Sequence, residues 1–153
     1  MATRFCSAPE VGKVAELLIP EFHPHLVDNI RIDYVFSDKT TKKGTKEVWG
    51  TMRKISALNA YLASDENSKE HGVTDSFFVM VISEPVWNNL DDSQRKALVD
   101  HELCHAKVDI DDDGNYKLKI VPHDMEEFQE IVKRHGLWAE DVRAFAAAAT
   151  DAE

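Results

Sequence analysis

His101, Glu102 and His105 stand in the run His101-Glu102-Leu103-Cys104-His105, the residues of this chain best suited to hold a metal ion and move a proton. At about 100° per helical residue the two histidines lie roughly 40° apart and Glu102 within about 100° of both, so all three can address one ion. Two neutral imidazoles at this spacing bind Zn²⁺ from a rigid scaffold, while the intervening carboxylate addresses the water on the metal. Zinc acidifies that water toward a pKa of about 7, and Glu102 can then take its proton as a carbonyl is attacked. A shuffled chain of this composition would contain the pattern roughly 0.03 times, which sets chance aside. The plain alternative is a surface helix bearing two solvated histidines.

The motif needs a helix to carry it. Asn88-Asn89-Leu90-Asp91-Asp92-Ser93 supplies capping residues and early acidic groups. Ala97, Leu98, Leu103, Cys104 and Val108 then recur at helical intervals, which predicts a helix over about residues 91–107, ended from Asp109 onward. A catalytic zinc site also takes a third protein ligand and leaves the fourth position to water. His123 is the first candidate, at an expected strand-to-helix junction after Pro122, where Asp124 or Glu126 would cap the next helix or orient an imidazole. Glu126 and Glu127 compete for the role; His135 is more distant and reads as a helix C-terminal residue.

The segments Trp87-x-x-Leu90 to Gln94-Arg95, Leu98-Val99-Asp100-His101-Glu102-Leu103-Cys104-His105 and Pro122-His123-Asp124-x-Glu126-Glu127-Phe128 resemble the putative phage metallopeptidase family. They are similar, more distantly, to SprT/Spartan-like zincins. The resemblance extends to Lys46-Glu47-Val48-Trp49-Gly50 and Phe77-Phe78-Val79-Met80-Val81-Ile82, covering roughly residues 30–137. In those families the motif is completed by a histidine shortly before an acidic residue and a phenylalanine on the next helix, matching His123, Glu127 and Phe128. It implies a small zincin peptidase, with an extended peptide lying antiparallel along an exposed sheet edge. Tyr116, Lys117 and Arg134 are candidate donors to a developing oxyanion, each with a surface or packing role as the alternative.

Other groups with metal-binding chemistry are weaker. Cys104 could join the zinc ligands, but its angular offset favours a buried structural cysteine facing the side of Ala97 and Leu98. With Cys6 the only other cysteine and no export leader, a disulfide framework is not expected and a reducing compartment fits. Asp109-Ile110-Asp111-Asp112-Asp113-Gly114 imitates half a calcium loop, yet its twelfth position falls on Ile120, so it reads as an acidic turn. His23-Pro24-His25 reads as a solvated loop able to take up stray metal.

Periodicity supplies the frame. Val11 to Ile19 predicts a short helix closed by Pro20, Ile30 to Phe36 a strand, residues 38–46 a polar loop, and Val48 to Ile55 the strand that returns beside the first. Ala57 to Leu62 is ambiguous and Ser64 to Asp75 reads as a mobile loop, while Phe77 to Ile82 suits a central strand. Beyond the motif come a strand near Tyr116 to Val121 and helices at about Asp124 to His135 and Trp138 to Ala149. The expected fold is α+β: one zincin-like domain over 1–153, with a three- to four-stranded sheet, an active-site helix and C-terminal helices.

At 153 residues, 43% hydrophobic and 30% charged, the chain can bury an ordinary core and has no run approaching the ~20 apolar residues of a membrane span. We therefore expect a cytoplasmic protein, in the host cytoplasm if it is phage-encoded. A net charge of −10 opposes nucleic acid. Lys39, Lys42, Lys43, Lys46, Arg53 and Lys54 against Asp38 and Glu47 leave a local surplus of four positive charges, which keeps a DNA-linked role open. The expected activity is zinc-dependent hydrolysis of a protein or peptide, with His101, His105 and His123 on Zn²⁺ and Glu102 as general base. The alternatives are a noncatalytic zinc-stabilised module that binds a host protein, and a hydrolase of a nonpeptide amide.

Overall fold

The structure, a computed structural model, describes residues 2–27, 30–72 and 75–152, which fall into two compact units joined between Val121 and Pro122. In chain order the first unit contains β1 (Phe5–Ser7), α1 (Pro9–Phe22), β2 (Ile32–Ser37), β3 (Thr41–Lys43), β4 (Lys46–Val48) and β5 (Gly50–Ile55). It continues with α2 (Ala57–Leu62), α3 (Glu66–His71), β6 (Phe77–Ser83), α4 (Glu84–Asn89), α5 (Asp92–Cys104), β7 (Ala106–Ile110) and β8 (Tyr116–Ile120). The second unit contains α6 (Gln129–His135) and α7 (Glu140–Asp151). The expected α+β class is what the structure shows.

Alternation along β6 builds the sheet. Phe78, Met80 and Ile82 are completely buried, whereas Phe77, Val79 and Val81 between them are only partly covered, as on a strand with one packed face. β6 is central, parallel to β2 through Ile32↔Phe78 and antiparallel to β5 through Gly50↔Ile82; β1 adds antiparallel to the far side of β2. The expected side-by-side pairing of β2 with β5 is therefore corrected, since β6 lies between them. The polar segment after β2 folds back on itself instead, as the β3–β4 hairpin, with Gly44 at φ +67°.

Val11, Ala15 and Leu18 of α1, and Val99 and Leu103 of α5, join the sheet's buried side chains in one core. Full burial of each large apolar side chain contributes about 1.5–3 kcal/mol. The short helix α4, not anticipated from sequence, places Trp87 at the heart of this packing. Its ring lies 6.0 Å from that of Phe36, its indole N–H donates to Glu10 at 3.2 Å, and the Arg95 guanidinium stands over it at 5.0 Å. Trp87 thus ties α1 to the start of α5.

Several boundaries differ from expectation for local reasons. α1 runs through Pro20 to Phe22, because a proline near a helix end forfeits only one bond and His23 N–H still reaches Ile19 O at 2.8 Å. Asp65 accepts from Ser68 N–H at 2.7 Å and so caps α3 inside the expected 64–75 loop, of which Val73 and Thr74 lie outside the described residues. α5 stops at Cys104 rather than near 107, since Ala106 to Ile110 is drawn into pairing with β8. The acidic run is the turn of that hairpin: Asp111 accepts from the backbone N–H groups of Asp113 and Asn115, and Gly114 adopts φ +82°. In the second unit α6 begins at Gln129 rather than 124 and its N-cap is Phe128, so neither Asp124 nor Glu126 caps it.

α5 starts with a capping box in which Asp91 accepts from Gln94 N–H at 2.8 Å and Gln94 Oε1 accepts from Asp91 N–H at 3.0 Å. Replacing Asp91 by Ala should lower stability by about 1 kcal/mol, read from the midpoint of urea unfolding; an unchanged midpoint would show that the box does not anchor the helix.

Candidate metal centre

The buried residues of α5 are Val99, Glu102 and Leu103, at intervals of three and four residues. A carboxylate therefore occupies a position that helical periodicity assigns to the core. Glu102 is only 4% exposed, and burial holds its carboxyl above the usual carboxylate range, an effect partly offset by His105 beside it. Such a burial opposes folding, and groups with this combination of burial and altered acidity concentrate at functional sites.

Gly50, at the start of β5, makes room for this carboxylate. A Cβ there would stand 2.8 Å from Ile82 Cδ1 and 3.3 Å from both Cγ and Oε1 of Glu102. Trp49-Gly50 belongs to the segment that carried the family resemblance, but a glycine in a strand identifies only a close approach, not the residue approaching.

His101, in the last turn of α5, and His105, its C-cap, flank Glu102. Their ring centroids are 5.2 Å apart with planes at 76°, and His101 Nε2 lies 3.9 Å from Glu102 Oε1. His105 is oriented by the chain leaving β8: its Nδ1–H donates to Val121 O at 2.6 Å, while Val121 N–H donates to His105 O at 2.8 Å. A proton on Nδ1 makes Nε2 the ring nitrogen that carries the lone pair.

Two residues past Val121 comes His123. His101, His105 and His123 each offer a ring nitrogen within 4.8 Å of the others, a group able to hold a metal ion. Nitrogen ligands on a tetrahedral zinc stand about 3.3 Å apart at bonds of 2.0–2.1 Å, and His101 and His123 are exposed while His105 is half-buried. The donor set thus fits a divalent transition metal. His101, His105 and His123 form that group, whereas neither Glu126 nor Glu127 joins a ligand cluster among the described residues. Glu127 Oε1 instead accepts from Phe128 N–H at 2.9 Å.

Two expectations need correcting. Cys104 is exposed rather than buried, because the core stripe passes through Val99 and Leu103 and leaves Ala97 and Cys104 on the outer side. His23 is not in a solvated loop: it closes α1, is 5% exposed, and meets Asp100 at 2.5 Å. Of the oxyanion candidates, Tyr116 pairs with Ile110, four residues along the hairpin from Ala106, or about 13 Å from the His105 end. Lys117 follows it there, and Arg134 reaches Glu130 at 3.9 Å.

A mixed α+β frame with clustered imidazoles beside a buried glutamate describes a candidate metal centre. The chain belongs to the putative phage metallopeptidase family, whose model matches residues 3–150, more of the chain than the sequence resemblance spanned. No curated protein and no solved structure matches it. No helix among the described residues is long and apolar enough to cross a membrane.

Gly50→Ala should cost about 1–3 kcal/mol by overpacking Ile82 and Glu102, measured by urea unfolding; full retention of stability would mean that these side chains yield without cost.

Proposed function

We propose that residues 1–153 act as one zincin-like metallopeptidase domain, in which His101, His105 and His123 hold zinc and Glu102 serves as general base on a protein or peptide substrate. The observation that carries this reading is the three-imidazole cluster beside a carboxylate buried in the core stripe of the same helix. Zinc, when bound, supplies Lewis acidity that brings the pKa of a coordinated water to about 7 and polarises a carbonyl.

The remaining work falls to the chain. Glu102 takes the proton of the attacking water at its carboxylate and returns it to the departing amine, so the group ends as it began. Its burial raises its proton affinity, which suits a base that must later act as an acid. His105 is held in one tautomer by Val121 O and therefore keeps a fixed orientation through the cycle.

β5 offers a place for substrate. Among the described residues it has a strand partner on one side only, and Gly50 within it abuts Glu102. An extended peptide adding antiparallel to that outer edge would carry its scissile carbonyl past the carboxylate.

Digestion of casein or a peptide library with zinc-loaded protein tests the proposal. Glu102→Gln should retain zinc and lose about 10²–10⁴-fold in turnover. Cleavage unaffected by the substitution would overturn Glu102 as the base, and stoichiometric zinc without cleavage by either form would favour a noncatalytic interaction module.

A further inference from the structure

The last turn of α5 carries a second pair of potential ligands beside the first. Asp100 and Cys104 are four residues apart, as His101 and His105 are, and the two pairs occupy neighbouring stripes one residue out of step. Each pair meets an imidazole from elsewhere in the chain. For Asp100 and Cys104 that imidazole is His23, at the C-terminal end of α1, and the three residues each offer a ligand atom within 4.8 Å of the others.

We propose that His23, Asp100 and Cys104 form a second site for a divalent transition metal of the zinc class, distinct from the three-histidine centre. Nitrogen, carboxylate oxygen and thiolate sulfur from one residue each make a donor set that suits a borderline-soft ion such as Zn²⁺ or Co²⁺, and that hard cations such as Mg²⁺ disfavour.

Burial divides the labour among the ligands. The His23 side chain is 6% exposed and already directed at Asp100, with Nε2 and Oδ1 2.5 Å apart, so one ligand is fixed before any ion arrives. The Asp100 side chain is 38% exposed and Cys104 lies at the surface, which gives an ion a way in from solvent. Two ligands on a tetrahedral ion stand about 3.3 Å apart, so binding replaces the His23–Asp100 hydrogen bond and opens that contact slightly. Asp100 and Cys104, the more exposed ligands, would accommodate that change. The ion would then join the end of α1 to the end of α5, making a clamp next to the turn that bears His101 and His105.

The sulfur ligand makes the site separable from the first. Apoprotein of the full chain, titrated with Co²⁺, should take up two equivalents and develop a near-ultraviolet sulfur-to-cobalt charge-transfer band. Cys104→Ser should abolish that band and one equivalent, while Cys6→Ser leaves both in place. His23→Gln should also remove the band, with circular dichroism confirming that the helices persist. His101→Ala should remove the other equivalent and spare the band, so failure of the histidine centre would leave this result intact. A folded wild type that binds Co²⁺ without the band, or a band that survives Cys104→Ser, would overturn the second site and leave His23–Asp100 as a hydrogen bond that pins two helices.

Discussion

Val121 grips His105 twice, accepting from the imidazole Nδ1–H and donating its own N–H to the His105 carbonyl. These bonds close the β7–β8 excursion back onto the end of α5. They also select the histidine tautomer that carries its proton on Nδ1, and they fix where the chain stands at Val121. A sequence separation of 16 residues between His105 and Val121 is thereby reduced to a local contact. The hairpin provides the return, the backbone pair sets its end, and Pro122 restrains the next step.

A second constraint acts inside the core. Glu102 holds a place in the α5 stripe of Val99 and Leu103 where an apolar residue would be more stable, and Gly50 forgoes a side chain to admit it. The two positions lie on different elements, so the sheet and the helix must be in register for the carboxylate to fit. Their opposition to simple packing is the pattern expected where structure serves chemistry.

Much of this was legible in the residues. The His101/Glu102/His105 spacing alone implies three groups gathered at one helix end, and His123 is the downstream imidazole that clusters with the two histidines. The alternation around Phe77 to Ile82 marked the central strand, because burial on one face leaves a two-residue signature. Other features depend on partners distant in sequence. The insertion of β6 between β2 and β5 is a matter of pairing, which periodicity does not encode. The three-residue β1 and the six-residue α4 are too short for a period to emerge, although Trp87 in α4 is among the most buried side chains. Ala97, Leu98 and Cys104 suggest an apolar face, but of these only Leu98 packs against the core; Val99 and Leu103 mark the buried stripe, which places Glu102 inside and Cys104 outside. The burial of His23 required Asp100, 77 residues away, and nothing near His23 announces it.

For the proposed chemistry, three imidazoles must act as one ligand set. Nitrogen-15 NMR of the histidine rings during zinc titration tests this most directly. Metal addition should shift a ring nitrogen of His101, His105 and His123 together, at one equivalence point, with His105 responding at Nε2 while keeping its proton on Nδ1. Resonances of His123 that stay unchanged while those of His101 and His105 move would contradict it.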